Sequence, residues 1–122
     1  NERGIYGVLL SKHGLWHLVW VNDRFPTKDG KPCYCNSKDT RKLWPLLLEK
    51  AWAKLYGGGK YENTAGGLPA QCLHGLTMCP TLRYDSSDYS HSELWAVLLS
   101  AEAAGCVMCC GCYSKPLFTL CI

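Results

Sequence analysis

"LWPLLLEKAWAKLYGG", residues 43–58, is the most strongly patterned stretch of the chain. At 100° per residue, Trp44, Leu47, Leu48, Ala51, Trp52 and Leu55 fall on one broad apolar stripe, while Lys42, Glu49, Lys50 and Lys54 fall outside it. Pro45 is tolerated only near a first turn, where its missing N–H has no partner to lose, so the spacing predicts a helix beginning at Lys42 or Leu43. Gly57 to Gly59 supply its stop. A stripe this wide needs a core to cover it, and the stretch reads as a buried support helix. The rival, a basic helix lying on a membrane over residues 43–56, needs a cleaner cationic flank than these mixed charges provide.

Upstream, residues 4–10 and 15–22 ("LWHLVWVN") are rich in leucine, aromatic and β-branched residues and read as two strands joined through "SKHG". Both faces of the second strand are apolar, which predicts cover on both sides. Pro26, Asp29-Gly30 and Pro32 supply turn chemistry, and Cys33–Cys35 reads as a short returning strand. Downstream, residues 61–80 read as a loop with one helical turn around Gln71 to Leu76. Residues 81–85 ("TLRYD") read as a strand. Residues 90–105 form a second helix, with Ser90 or Ser92 as its cap, Glu93 in its first turn and Gly105 as its close. Residues 106–112 ("CVMCCGC") read as a buried strand, and 115–122 as a short apolar ending. Strands and helices in this order give the α+β class.

Composition narrows the function classes. The chain has 122 residues, is 48% hydrophobic and carries five Trp and seven Tyr, enough for a core and too apolar for a disordered segment. No apolar run approaches the ~20 residues that span a bilayer, so stable membrane insertion is not expected. The start lacks both a secretory leader and an initiator Met, and the chain reads as an excerpt. The net charge is a mild +3, and basic residues such as Arg24, Lys28, Lys31, Lys38, Arg41, Lys42, Lys50, Lys54 and Lys60 are spread out, without the dense basic face of a nucleic-acid binder. Nine cysteines, an odd count with several crowded together, fit reduced thiols in the cytoplasm better than a disulfide framework.

Metal and nucleophile signals are weak. Cys106-x-x-Cys109 and Cys110-x-Cys112 can be read as thiolate pairs, but neighbouring strand residues point to opposite faces, and His74 and His91 are not spaced to complete a zinc site. Cys72, His74 and Cys79 read as small fillers and a loop histidine. No metal ligand is assigned.

The run from Val21 to Gly67 resembles the central part of a calpain-type cysteine protease core. The words that carry it are Asp23–Pro26, Lys28–Lys31, Trp44, Leu47–Lys54, Gly58, Tyr61–Glu62 and Gly66–Gly67. Residues 1–22 and 68–112 resemble that family more loosely, and the last ten residues diverge. The resemblance implies a partial papain-like fold, with residues 1–77 the latter part of the first subdomain and 78–122 the start of the second. The crossover is expected near Thr77 to Pro80, where Met78-Cys79 stands in place of a glycine pair and implies a stiffer hinge.

For function, the resemblance implies part of an intracellular cysteine endopeptidase acting on protein or peptide substrates. The alternative is a non-catalytic calpain-like binding or regulatory module. Such a protease needs a thiolate, a histidine base and an orienting Asn, and their family motifs are absent from residues 1–122. No catalytic residue is therefore assigned, and the isolated chain is expected to be inactive and to associate or aggregate without the rest of the core. Gly66 and Gly67 are the substrate-binding candidates by resemblance, Gly67 contacting the substrate main chain. Ca²⁺ is the activator the family implies, but Lys42 stands where a Glu ligand is expected, and an ammonium cannot replace a hard anionic oxygen.

Overall fold

The computed structural model describes residues 4–39, 41–112 and 118–121. The chain divides into two compact units, Asn1–Gly66 and Gly67–Ile122. In the first, strands β1 (Ile5–Lys12) and β2 (Leu15–Asn22) form an antiparallel hairpin. Its turn is the pair His13-Gly14, with φ of 52° and 75°. Two consecutive positive φ values match the right-handed twist of the flanking strands, and the second position suits a residue without Cβ. A second tight hairpin joins β3 (Thr27–Lys28) and β4 (Lys31–Pro32) through Asp29-Gly30. Cys33–Cys35, expected as a strand, is not one. The hairpin's last backbone bond runs from Cys33 N–H to the Pro26 carbonyl at 3.0 Å, and the Cys35 amide then goes to the Glu49 side chain instead.

Helix α1 spans Trp44–Tyr56, with Pro45 in its first turn and Gly57 as its C-cap. The amides of Gly57 and Gly59 both donate to the Ala53 carbonyl, at 2.9 and 3.0 Å, which closes the last turn. Gly57 is required here by close approach. A Cβ on it would lie 2.5 Å from the Lys60 carbonyl oxygen and 2.8 Å from that of Ala53.

The helix packs on one face of the β1–β2 hairpin. Leu10, Val19, Val21, Leu47 and Ala51 form the buried cluster, with Tyr6, Val8, Phe25, Leu48, Trp52 and Leu55 around it. The expected stripe is correct except at Trp44, which is 63% exposed. Leu46 and Ala53, outside the stripe, are buried. The physical reason is that α1 is covered on two sides: Leu46 and Glu49 share a small cavity with Phe25, Pro26, Pro32, Tyr34, Cys35 and Tyr61. The expected double cover of β2 is also corrected. Val19 and Val21 are buried, whereas Trp16, Leu18 and Trp20 on the opposite face stay exposed, because α1 takes only one face of the hairpin.

The hairpin and helix are tied at both ends. Lys12 Nζ donates to the Leu55 carbonyl at 2.7 Å and sits 5.2 Å from the Tyr56 ring centroid, while the Tyr56 hydroxyl donates to the Ser11 carbonyl. At the other end Lys50 donates to the Asn22 side-chain oxygen and the Arg24 carbonyl, and Lys54 to the Trp20 carbonyl at 2.9 Å. Partial desolvation pulls the Lys50 pKa down, opposed by nearby Asp23.

In the second unit, α2 runs over Pro69–Thr77, longer than the single turn expected, with Pro69 in its first turn. Strands β5 (Arg83–Asp85), β6 (Cys109–Cys112) and β7 (Phe118–Cys121) make an antiparallel sheet in the order β5-β7-β6. The strand expected over 106–112 is shorter, and Cys106, Val107 and Met108 are exposed rather than buried. The apolar ending supplies the central strand of that sheet, while residues 113–117 and Ile122 lie outside the described residues.

Helix α3 (His91–Ala103) is capped by Ser90, whose hydroxyl accepts the Glu93 amide while the Glu93 carboxylate accepts the Ser90 amide at 2.8 Å. Cys106 N–H bonds back to the Ala101 carbonyl around Gly105, at φ 69°. Helices and strands are mixed, all described pairings are antiparallel, and this content is compatible with the α+β class.

Candidate functional site

Gly66 and Gly67 follow a short 3₁₀ turn, Tyr61–Thr64, that is pinned to the first unit from several directions. Thr64 Oγ1 donates to the Tyr61 carbonyl at 2.7 Å, and Asn63 Nδ2 donates to the Gly57 carbonyl at 2.9 Å. The Tyr61 ring stacks on Tyr34 at 4.6 Å between centroids and 5° between planes. The Tyr34 hydroxyl reaches back to Glu62 Oε1 at 2.8 Å. That bond raises the Tyr34 pKa, while the Glu62 carboxyl is held below its ordinary value, first by a backbone N–H and then by Tyr34. Burial, with Glu49 adding, raises the pKa of Tyr61.

Beyond this anchor the chain opens. Gly66 has φ 87° and Gly67 φ 149°, conformations that side chains rarely adopt. No heavy atom lies within 4 Å of a Cβ built on either. The glycines are thus required by backbone conformation and not by crowding within the chain, and both are exposed. An accessible main chain of this kind can exchange hydrogen bonds with another extended backbone, the means by which sheets and bound peptides pair.

The remaining sequence candidates are dispersed or already engaged. Lys42 is exposed just before α1, its amide bonded to the Asp39 carbonyl at 2.9 Å. Glu49, read from sequence as part of the helix pattern, lies beside the segment that follows β4, and its Oε2 accepts the Cys35 amide at 2.9 Å. Sequence reasoning missed that bond, since nothing local couples residues 14 apart. Atoms around the Cys72 sulfur push its pKa up, away from the thiolate a nucleophile needs. His74 Nδ1 is 3.0 Å from the Cys79 carbonyl, and the αL cap of α2 falls on Met78 (φ 60°). Among the described residues no group of three His, Cys, Asp or Glu side chains is placed to hold a metal ion, and no helix is long and apolar enough to cross a membrane.

A helix packed on an antiparallel hairpin, followed by a pinned turn and an open diglycine, places this chain among mixed helix-and-sheet domains. Comparison with known proteins resolves the family. Residues 1–117 match the profile of the calpain family cysteine proteases. Calpain-B of Drosophila melanogaster is 33% identical over 116 residues, covering 95% of this chain and 12% of that protein. Calpain clp-4 of Caenorhabditis elegans is 34% identical over 110 residues, and the calpain-1 catalytic subunit of Rattus norvegicus 36% over 107. These two alignments cover 90% and 88% of this chain, and 15% of each relative. The chain belongs to the calpain family of cysteine proteases. It spans about an eighth to a seventh of the length of these three relatives.

Proposed function

We propose that this chain forms part of the protease core of a longer calpain-like endopeptidase, which hydrolyses peptide bonds through a thiol nucleophile outside residues 1–122. The observation that carries the reading is the open, positive-φ backbone at Gly66-Gly67, held by the Tyr34–Tyr61–Glu62 anchor in a chain of calpain sequence. In this reading Gly67, with Gly66 beside it, pairs with the main chain of a protein or peptide substrate. The fold is papain-like, residues 1–77 belonging to the first subdomain and 78–122 to the second, and the protein works in the cytoplasm. Nucleophile, base and orienting Asn come from the missing parts of the core, so residues 1–122 alone do not cleave peptides.

The residues around the start of α1 do not fit the calcium site the family implies. An exposed ammonium, Lys42, occupies the position, and the nearby Glu49 carboxylate is occupied by a backbone amide. No catalytic step is therefore assigned to Ca²⁺ at this position.

The test is hydrolysis of a fluorogenic peptide by the longer polypeptide of the same reading frame, with Gly67→Val beside the unchanged protein. The proposal expects thiol-dependent cleavage that the valine reduces at least tenfold in kcat/KM, with the folded signal retained. A frame without a nucleophilic Cys, or no cleavage with or without Ca²⁺, overturns it in favour of a non-catalytic calpain-like binding module.

A further inference from the structure

Tyr34 grips two successive residues of the 3₁₀ turn that leads into Gly66-Gly67, from 28 residues away in sequence. Its ring lies on that of Tyr61 at 4.6 Å and 5°, and its hydroxyl donates to Glu62 Oε1 at 2.8 Å. A stack alone lets two rings slide, and a hydrogen bond alone lets a side chain swing. Together they fix both the height and the rotation of the turn. Near neutral pH the acceptor is ionised and the donor keeps its proton, since the Glu62 pKa is lowered and that of Tyr34 raised.

Tyr34 is itself held on both sides. The Cys33 amide donates to the Pro26 carbonyl at 3.0 Å, at the β3–β4 hairpin, and the Cys35 amide donates to Glu49 Oε2 at 2.9 Å, on α1. Both tyrosines line the small cavity shared with Phe25, Pro26, Pro32 and Leu46. The turn passes this hold along the backbone. Thr64 Oγ1 and the Ala65 amide close it on the Tyr61 and Glu62 carbonyls at 2.7 and 3.3 Å, and Gly66 follows directly. Gly66 has no side chain to anchor it, and a Cβ built there would meet open space, so its placement follows from the turn before it.

We propose, building on the substrate-pairing reading of Gly67, that Tyr34 is a positioning residue for substrate binding. Acting through Glu62, it holds the Gly66-Gly67 backbone ready to pair with an extended peptide main chain. A loosened turn has to be ordered when the peptide arrives, and that ordering weakens binding. Backbone pairing of this kind acts alike in the ground and transition states, so its loss appears in KM and leaves kcat.

The longer polypeptide of the same reading frame tests this, with an extended fluorogenic peptide as substrate. Tyr34→Phe keeps the stacked ring and removes the donor, while Glu62→Ala removes the acceptor. Each should raise KM about three- to tenfold, the range of one ordinary hydrogen bond, with kcat within about twofold. The double variant should be no worse than either single one, because both remove the same bond, and Glu62→Gln, which keeps an acceptor oxygen, should recover most of the loss. Ser90→Ala weakens the α3 cap instead, and should lower Tm without moving KM. Hydrogen–deuterium exchange on the same proteins needs no activity: Tyr34→Phe should speed exchange over residues 61–67 and leave 91–103 unchanged.

Unchanged exchange over residues 61–67 overturns the proposal, whether or not the protein cleaves. So does a KM that Tyr34→Phe leaves alone while Gly67→Val still lowers kcat/KM, in which case Gly67 keeps its role and Tyr34 loses its own. Additive losses in the double variant, or an equal rise of KM in Ser90→Ala, overturn it as well. Absence of cleavage by the unchanged protein sinks the endopeptidase reading first, and the positioning role with it.

Discussion

The Glu49 carboxylate and the Cys35 backbone amide, 14 residues apart, meet at 2.9 Å beside α1. This bond fixes the segment after β4 to the middle of the helix, where Leu46 and Tyr61 line the same small cavity. Removing the acceptor strands a partly buried donor. Glu49→Ala should cost about 1–3 kcal/mol, whereas Glu49→Gln, which keeps an acceptor oxygen, should cost less than half as much. Urea titration of both variants followed by far-UV dichroism measures the difference, and equal losses would mean that the bond contributes nothing.

Gly57 is confined by the carbonyls of Lys60 and Ala53. Gly57→Ala therefore has to push backbone apart, despite the usual gain of alanine near a helix. A loss of about 1–3 kcal/mol is expected, seen as a lower Tm. A neutral or stabilising effect would show that the last turn of α1 moves aside easily.

At the end of α2, Met78 adopts φ 60°, a conformation that suits glycine. Met78→Gly removes the steric cost but adds freedom to the unfolded chain, so the two effects partly cancel. A net gain of up to about 1 kcal/mol is expected. Differential scanning calorimetry reads it as a higher Tm, and a fall would show that the methionine side chain contributes contacts.

The capping box of α3 gives a pH dependence. The Ser90 hydroxyl and amide hold the Glu93 carboxyl below its ordinary pKa, the side-chain bond contributing most. A depressed folded-state pKa means the stabilisation is present above the unfolded value and is lost as pH falls through the folded one. Between pH 5 and about 3 the parent should lose Tm faster than Ser90→Ala, which is itself expected to lose about 1 kcal/mol at neutral pH. Parallel Tm curves for the two proteins would remove Glu93 as the source.

How much of this architecture was readable beforehand depended on the range of each signal. The ends of α1, a serine cap at Ser90 or Ser92 and the Gly105 close are legible, because each is written within four or five neighbouring residues, and the fold selects Ser90. Trp44 lies outside the buried face and Leu46 and Ala53 inside it, because Leu46 is covered by Phe25, Pro32, Tyr34 and Tyr61 and Ala53 lies beside Val21 and Tyr61, neighbours that no helical period reveals. Cys33–Cys35 looked like a strand by composition, but the Cys35 amide goes to a helix side chain and Tyr34 to a ring stack. The place of β7 between β5 and β6 rests on pairing with β5 across more than thirty residues, which no local signal carries, whereas Pro69 is a local start signal for α2. At the candidate site, Gly66 and Gly67 were legible only by family resemblance, and their positive φ values emerged only from the fold.

The crossed ties between the hairpin and α1 have a kinetic consequence. Lys12, at the end of β1, donates to the backbone of α1, and Tyr56, at the end of α1, donates to the backbone of β1. Neither element can fray without releasing the other, so the hairpin tip and the last helical turn form one cooperative opening unit. Amides around residues 10–17 and 53–57 should then exchange with solvent deuterium at a common rate. Lys12→Met should accelerate both sets together, joining in time two segments that lie some forty residues apart in sequence.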